Sequence, residues 1–393
     1  MTPLRHELDE LLNVRTDLAM VRESTEFDRL ATPFERSLVL VGAGNLGKQV
    51  LHRLRAEGIE PLAFADGRAD LVGQTVEGVP VLTRKEAAEK YGTSAAFVVT
   101  IWNAKDSFLT TQKELVNLGC ATVLSAIPLR WKFADTLLPY FWLDLPSRTI
   151  RETVRVKATY SLWADESSRR EYINQLRFRL LADFDAIVST EYSDSYFPDD
   201  LFRTIDNEQF VDCGAFDGIT IRQFLDRHEQ FEGRIVAYEP DPTNYAALQQ
   251  YLRTKNPKDA DRIKALPWAV GEKRGIVRFN AMGTMGSTMS ADGCIEVGCV
   301  TLDESLKELG VVPSFIKMDI EGAELDALLG GKTTVQSSRP ILAICLYHRF
   351  DDLWRIPAIV RALSDDYRLY LRAHEIEGWQ LVCYAVPSNR VLI

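Results

Sequence analysis

The 393-residue sequence lacks three things: an excess of basic charge, a long apolar run and a paired cysteine spacing. Lys and Arg number 46 against 56 Asp and Glu, a net charge of −10. Binders of a phosphate backbone neutralise it with clustered Lys and Arg, so nucleic acid is not an expected partner. No apolar stretch approaches the roughly eighteen residues that cross a bilayer, so no membrane insertion is expected. The opening MTPLRHELDELLNVRTDLAM mixes acids among its apolar residues and has no basic lead into an apolar run. It does not read as a signal peptide, and the expected location is cytoplasmic. Of the six cysteines (Cys120, Cys213, Cys294, Cys299, Cys345, Cys383) only Cys294 and Cys299 lie close together. One C-x4-C pair does not make a zinc site, and reduced structural thiols are the expectation.

What is present is an ordinary globular composition, 46% apolar and 26% charged, in a chain longer than one core usually supports. Two domains are expected. Residues 1–33 place Leu4, Leu8, Leu11, Leu12, Leu18 and Val21 at helical spacing, predicting an amphipathic helix suited to packing or to homo-oligomer contacts. Residues 34–145 alternate short apolar strands with helical runs. Residues 146–195 lose their strands and predict a charged helical linker, with Trp163, Tyr172, Ile173, Leu176, Leu180 and Leu181 at helical intervals. Residues 196–393 open a second α/β pattern. The fold class is therefore α/β, two doubly wound Rossmann-like domains joined by a helical linker.

In the second domain the strand ending at Asp212 runs into Cys213-Gly-Ala-Phe-Asp-Gly218, a D-x-G-x-x-x-G turn. Gly214 permits the tight turn. Gly218 is expected to let ligand atoms approach the following helix N-terminus, which favours a carboxylate. A second strand, Arg234 to Tyr238, ends in Glu239-Pro240-Asp241, which places Glu239 where ribose hydroxyls lie in this fold. The G-x-G-x-x-G spacing that seats a pyrophosphate is missing. Asp212 before the turn suits an amino acid's ammonium group, and a strand from Ile263 to Val270 brings Trp268 and Ala269 toward an adenine edge. Together these favour S-adenosylmethionine over a dinucleotide, with Ala215, Phe216 and Pro240 completing the cofactor set.

The run from Phe210 onward resembles the FkbM family of methyltransferases, through Phe210-Val-Asp-Cys-Gly214, Tyr238-Glu-Pro-Asp241, Val300-Thr-Leu-Asp303 and, most specifically, Phe315-Ile-Lys-Met-Asp-Ile-Glu-Gly-Ala-Glu324. The resemblance implies methyl transfer from S-adenosylmethionine, usually to a hydroxyl of a sugar or natural product, with a small-molecule or glycan-precursor substrate. The family often carries a Glu in the next strand. Here Cys345 or Leu346 stands at that point of Ile341 to His348.

Ligand crevices in open α/β sheets lie beyond the carboxyl ends of the strands, which favours Asp319 and His348 for catalysis, with Glu321 beside them. His348 is a candidate base near neutral pH; the alternative is a strand-end cap bonded to Asp351 or Asp352. Asp319 is placed to orient the cofactor, hold the acceptor hydroxyl, or join Glu321 and His348 around a divalent cation. Glu324 reads as a helix N-terminal acid complementing the dipole, and Lys317 as a strand residue available to a carboxylate. The segment Ala281 to Ser290 reads either as a substrate-facing lid or as a disordered loop. The pair Trp354 and Arg355 reads as a helix anchor, the alternative being a surface that packs on or binds an acceptor.

The first domain carries its own signal. Gly42, Gly44 and Gly47 fit G-x-G-x-x-G, Asn45 and Leu46 lie inside it, and Asp66 follows Gly47 by 19 residues. The stretch Val72 to Val81 resembles the nucleotide-binding domains of bacterial sugar acyltransferases and related polysaccharide-modifying enzymes. No hydride-transfer constellation follows. For this domain a nucleotide or nucleotide-sugar docking role, an active NAD(P)-dependent oxidoreductase making the protein bifunctional, and a ligand-free scaffold all stay open, and for the whole chain so does a noncatalytic nucleotide-binding scaffold in glycan assembly.

Overall fold

A computed structural model describes residues 2–102, 106–187, 195–255, 261–284, 286–289 and 292–392. The chain divides into two compact units. The first comprises Met1–Val154, Ile173–Thr190 and Glu375–Trp379; the second comprises Arg155–Tyr172, Glu191–His374 and Gln380–Ile393.

The first unit is built on strands β1 (Leu38–Val41), β2 (Ala63–Ala65), β3 (Thr75–Val76), β4 (Val79–Leu82), β5 (Ala96–Val99) and β6 (Thr122–Ser125), in the order β3-β4-β2-β1-β5-β6. All neighbours pair in parallel except β3, which forms a hairpin with β4. Strands β1 and β5 are buried at every residue, as parallel strands covered on both faces must be. The chain leaves β1 in one direction and returns through β5 on its other side, so the crevice of this unit lies between those two strands. The predicted N-terminal helix is two helices, Pro3–Leu12 and Thr16–Ala31. The second turns Ala19, Phe27 and Ala31 inward, and Leu18 and Val21, expected on the apolar face, are exposed.

The second unit holds a seven-stranded sheet of β7 (Gln209–Cys213), β8 (Arg234–Tyr238), β9 (Ile263–Leu266), β14 (Phe315–Met318), β15 (Ile341–Cys345), β16 (Tyr367–Ala373) and β17 (Leu381–Pro387), in the order β16-β17-β15-β14-β7-β8-β9. Five strands run parallel, and β17 inserts antiparallel between β15 and β16. The switch falls between β7 and β14. A smaller sheet, β10 (Ala269–Val270), β11 (Gly275–Asn280), β12 (Thr288–Met289) and β13 (Ile295–Val300), lies between β9 and β14 in the chain.

Two expectations change. The single strand from Ile263 to Val270 is two strands in two sheets, broken beside Pro267, whose missing N–H cannot serve a ladder. The helices of residues 146–195 do form, as Pro146–Arg151, Thr153–Tyr160 and Glu166–Leu181, and the chain passes between the two units within the second and third of them, but their buried faces also make them part of the cores. Within the second unit Val156, Trp163 and Tyr172 are buried, Thr159 Oγ1 donates to the Trp354 carbonyl, and Ala164 N–H donates to the Leu369 carbonyl. Residues 188–194 of that stretch lie outside the described ones.

Candidate active site at the switch of the second sheet

Gly214 leaves β7 at φ 82°, and a Cβ there would stand 1.9 Å from the Asp319 carbonyl oxygen. The turn after β7 and the end of β14 therefore touch backbone to backbone, and only glycine permits it. Gly218 (φ 89°) caps the helix Ile219–Asp226, and a Cβ there would meet the Tyr251 ring at 2.8 Å. Its space is taken by protein. Gly218 serves the turn and the packing against Tyr251, not the ligand approach expected of it.

Asp212 also departs from expectation. It lies opposite Lys317 in the β7–β14 register and is 0% exposed, its Oδ1 3.0 Å from Lys317 Nζ. Burial pushes its carboxyl up and the Lys317 charge opposes this. Asp212 is thus the counter-charge of a buried lysine and does not face an ammonium in the crevice. Lys317 Nζ donates to the Gly214 carbonyl at 2.6 Å, so the pair clamps the glycine turn. Burial opposes its charge, but Asp212 and Asp319 keep its pKa above the ordinary value.

Glu239 closes the other side. Its Oε2 accepts from Phe216 N–H at 2.8 Å and its Oε1 from Asp241 N–H at 2.9 Å. Each oxygen retains a lone pair for a diol. Phe216 is held at φ 51°, a costly conformation for a bulky residue, and Ala215 and Pro240 flank it in the same two turns. Trp268 covers Gly298 of the small sheet, and the Ala269 side chain packs with Phe279, Val297 and Cys299 in that sheet's core. Asp241 accepts from Thr243 and Asn244 N–H, and its Oδ2 takes Gly283 N–H at 3.0 Å and Ser287 Oγ at 2.7 Å. The Ala281–Ser290 segment is therefore tied down rather than loose, with residues 285 and 290 outside the described ones.

At the ends of β14 and β15 stands the ionisable cluster. Asp319 Oδ2 accepts from the Tyr196 hydroxyl at 2.7 Å and Oδ1 from the Tyr347 hydroxyl at 3.0 Å. Burial raises its carboxyl, but Lys317, His348 and the two phenols outweigh this and hold it below the usual range. Gln380 Nε2 donates to Tyr347 at 3.2 Å, completing a polar rim that the sequence reading missed. Tyr347 had a signal, its place beside His348; Tyr196 and Gln380 are distant in sequence and had none.

His348 is buried, its Nδ1 2.7 Å from Glu324 Oε1 and its Nε2 3.3 Å from Asp319 Oδ1 and 3.7 Å from Glu321 Oε1. Burial works against its charge, but Glu324 and Glu321 overcome this and lift its pKa to about 10. It is an imidazolium at neutral pH, and the expected neutral base is corrected: a proton already occupies the ring. Its partner is Glu324, neither Asp351 nor Asp352. Glu324, 0% exposed, also accepts Ile320 N–H at 2.8 Å, a larger part than complementing a dipole. Glu321 sits at φ 54°, and burial pushes its carboxyl up to about 7. Asp319, Glu324 and His348 each offer one ligand atom within 4.8 Å of the others, a spacing that a divalent cation can use. Trp354 is buried as the expected helix anchor, and Arg355 pairs with Asp351.

A parallel sheet with its last hairpin reversed, a glycine turn clamped at the switch and an acid ending the second strand define the fold of a methyltransferase. Residues 212–375 match the family described as Methyltransferase FkbM domain, and this part of the chain is an FkbM methyltransferase domain. The chain is 26% identical, over 151 residues, to the 2-O-methyltransferase NoeI of Sinorhizobium fredii; the match takes in 33% of this chain. It spans 59% of that relative's length. Its fold is also that of the crystal structure of Methyltransferase FkbM from Methylobacillus flagellatus KT, with a TM-score of 0.80 at 23% identity over 98% of this chain and 99% of that one.

Proposed function

We propose that the second unit binds S-adenosylmethionine and methylates a hydroxyl oxygen of a sugar in a glycan precursor, nucleotide-sugar or natural product. The carrying observation is the excess of carboxyls at the switch: Asp319, Glu321, Glu324 and Asp352 surround one imidazolium, with Lys317 already matched by Asp212. Such a site suits a sulfonium cation, and Glu239 with two free lone pairs suits a ribose diol.

The cofactor supplies an electrophilic methyl group on positive sulfur. The Tyr196 and Tyr347 hydroxyls and the Gln380 amide form the polar rim against which a polyol acceptor is oriented. Glu239 would hold the cofactor's ribose, the bound cofactor would supply the methyl group, and Glu321, with a pKa near the working pH, would accept the proton of the acceptor hydroxyl. His348 lowers and Asp319 raises the Glu321 carboxyl's pKa, opposing influences that act beside the burial that lifts it. A hydroxyl acceptor is supported by the name of the relative, a 2-O-methyltransferase.

Incubation with methyl-labelled S-adenosylmethionine and a panel of nucleotide-sugars and reducing sugars tests this reading. Label should appear on a sugar oxygen. Binding of the cofactor without transfer to any hydroxyl acceptor, alongside transfer to a nitrogen or carbon acceptor, would sink it.

A further inference from the structure

In the first unit the glycine turn between β1 and the helix Asn45–Ala56 is accounted for by the protein itself. Gly42 (φ 106°) makes the bend, a Cβ on Gly47 would lie 2.1 Å from the Gly42 carbonyl oxygen, and Asp66 Oδ2 accepts Ala43 N–H at 2.7 Å and pairs with Arg68 at 3.1 Å. Of the three glycines only Gly44 faces open space. The turn after β14 in the second unit needs help from outside. Glu321 lies there at φ 54°, a left-handed conformation that a residue with a Cβ holds only where its surroundings impose it, and Gly322 follows at φ 93°. His348 Nε2 stands 3.7 Å from Glu321 Oε1, beyond hydrogen-bond reach. The direction of this carboxyl is therefore set by the backbone that carries it.

Within its own turn Ile320 N–H donates to Glu324 Oε1 at 2.8 Å and Ala323 N–H to the Ile320 carbonyl at 3.3 Å. A third tie comes from the small sheet: Thr288 Oγ1 donates to the Glu321 carbonyl at 2.9 Å, with the Met289 carbonyl a poorer acceptor at 3.4 Å. Strand geometry puts the hydroxyl there. β12 pairs antiparallel with β11, Thr288 opposite Asn280 and Met289 opposite Phe279. Adjacent strand residues point to opposite faces, and Met289 packs with Phe279 on the core of the small sheet, so Thr288 faces away from that core. One residue earlier, Ser287 Oγ donates to Asp241 Oδ2 at 2.7 Å, and Gly283 N–H donates to the same oxygen at 3.0 Å. Asp241 N–H in turn donates to Glu239 Oε1 at 2.9 Å. Two consecutive hydroxyls thus tie one strap to both sides of the crevice, Ser287 to the turn of Glu239 and Thr288 to the turn of Glu321.

On the reading of Glu321 as the base, we propose that Thr288 is its positioning residue: the hydroxyl holds the left-handed turn that aims the carboxyl, and Ser287 anchors the strap that carries Thr288. Thr288 acts on the backbone of Glu321 rather than on the reacting atoms, so its effect passes through that carboxyl. The atom to be held is a carbonyl oxygen, which needs a donor. Serine can therefore stand in for Thr288, and valine, of nearly the same shape, cannot.

Two measurements on the full chain test it, and the first needs no acceptor. Exchange of the backbone amides of residues 319–324 for deuterium, followed by mass spectrometry, should quicken by about tenfold in Thr288→Val and stay at the wild-type rate in Thr288→Ser. The second is kcat on a sugar that takes label from methyl-labelled S-adenosylmethionine. Thr288→Val should lower it by about tenfold while the calorimetric affinity for S-adenosylmethionine stays within about twofold, and Thr288→Ser should recover it. With Glu321→Gln already in place, Thr288→Val should slow the enzyme no further. Unchanged exchange or unchanged kcat in Thr288→Val, or an undiminished effect on the Glu321→Gln background, overturns the positioning role and leaves the base reading standing. A Glu321→Gln enzyme as fast as the wild type, or no label on any sugar, removes that reading, and the inference falls with it.

Discussion

Lys317 Nζ lies 3.0 Å from Asp212 Oδ1 across the β7–β14 register, with both side chains almost wholly buried. The pair sits beneath the glycine turn, and Lys317 ties that turn to the sheet through the Gly214 carbonyl. Removing one partner strands the other's charge. Lys317→Met should destabilise the protein by about 3–5 kcal/mol, read from urea unfolding, and adding Asp212→Asn should recover part of the loss. A double variant no more stable than the single one would show that the turn, rather than the charge balance, is what Lys317 maintains.

Glu321→Gln should lower kcat by about a hundredfold or more while S-adenosylmethionine affinity stays within about twofold, since only proton transfer is lost. In the wild type kcat should rise through about pH 7 as the carboxyl ionises. A profile flat across neutrality would remove Glu321 from the base role.

The charge on His348 depends on Glu324 before any other group. Glu324→Gln removes the largest raising influence, so the ring pKa, followed by NMR, should fall from about 10 toward its ordinary value. A ring that titrates unchanged in this variant would mean that other carboxylates hold its proton.

Stability should fall from neutral to alkaline pH. His348 has a folded pKa raised above its ordinary 6.5 to about 10, so its contribution is complete below 6.5 and is lost as pH rises through 10. Burial likewise raises Asp352 to about 8, so the folded state binds the extra proton and loses that advantage above it. Melting temperature should drop between about pH 6.5 and pH 10, and Asp352→Asn should flatten the lower part of that slope; a rise over this interval would contradict both assignments.

Glu239→Ala frees the Phe216 and Asp241 N–H groups and deletes the diol acceptor. S-adenosylmethionine binding, measured by calorimetry, should weaken by about tenfold or more, and scanning fluorimetry should show a lowered melting temperature for a loss of about 1–3 kcal/mol from the freed donors.

Much of the fold was legible because local pattern and burial agree in parallel sheets: β1, β5, β7 and β14 are short, almost wholly buried and mostly apolar runs, and glycine turns follow β1, β7 and β14. The FkbM block from Phe315 to Glu324 likewise announced itself, since its acids follow a buried strand directly. Trp163 and Tyr172 were harder. Their helical spacing was visible, but whether such helices bridge domains or fill a core depends on what packs against them. The split of Ile263–Val270 was signalled by Pro267 and overlooked in favour of the apolar run.

The roles of the acids were less legible than their presence. Strand pattern located Asp212, Glu239, Asp319, Glu321 and His348 at or just beyond strand ends, and Glu324 at a helix start, because chain direction and period determine which residues reach the crevice edge. Tertiary structure decided which of them are spent on the protein itself: Asp212 on Lys317, and Glu324 on His348 and the Ile320 N–H. It also brought Tyr196 and Gln380 to Asp319 and left Gly44 bare while filling the space at Gly218. Protonation state and free space depend on burial and on neighbours distant in sequence, and these exist only once the chain has packed.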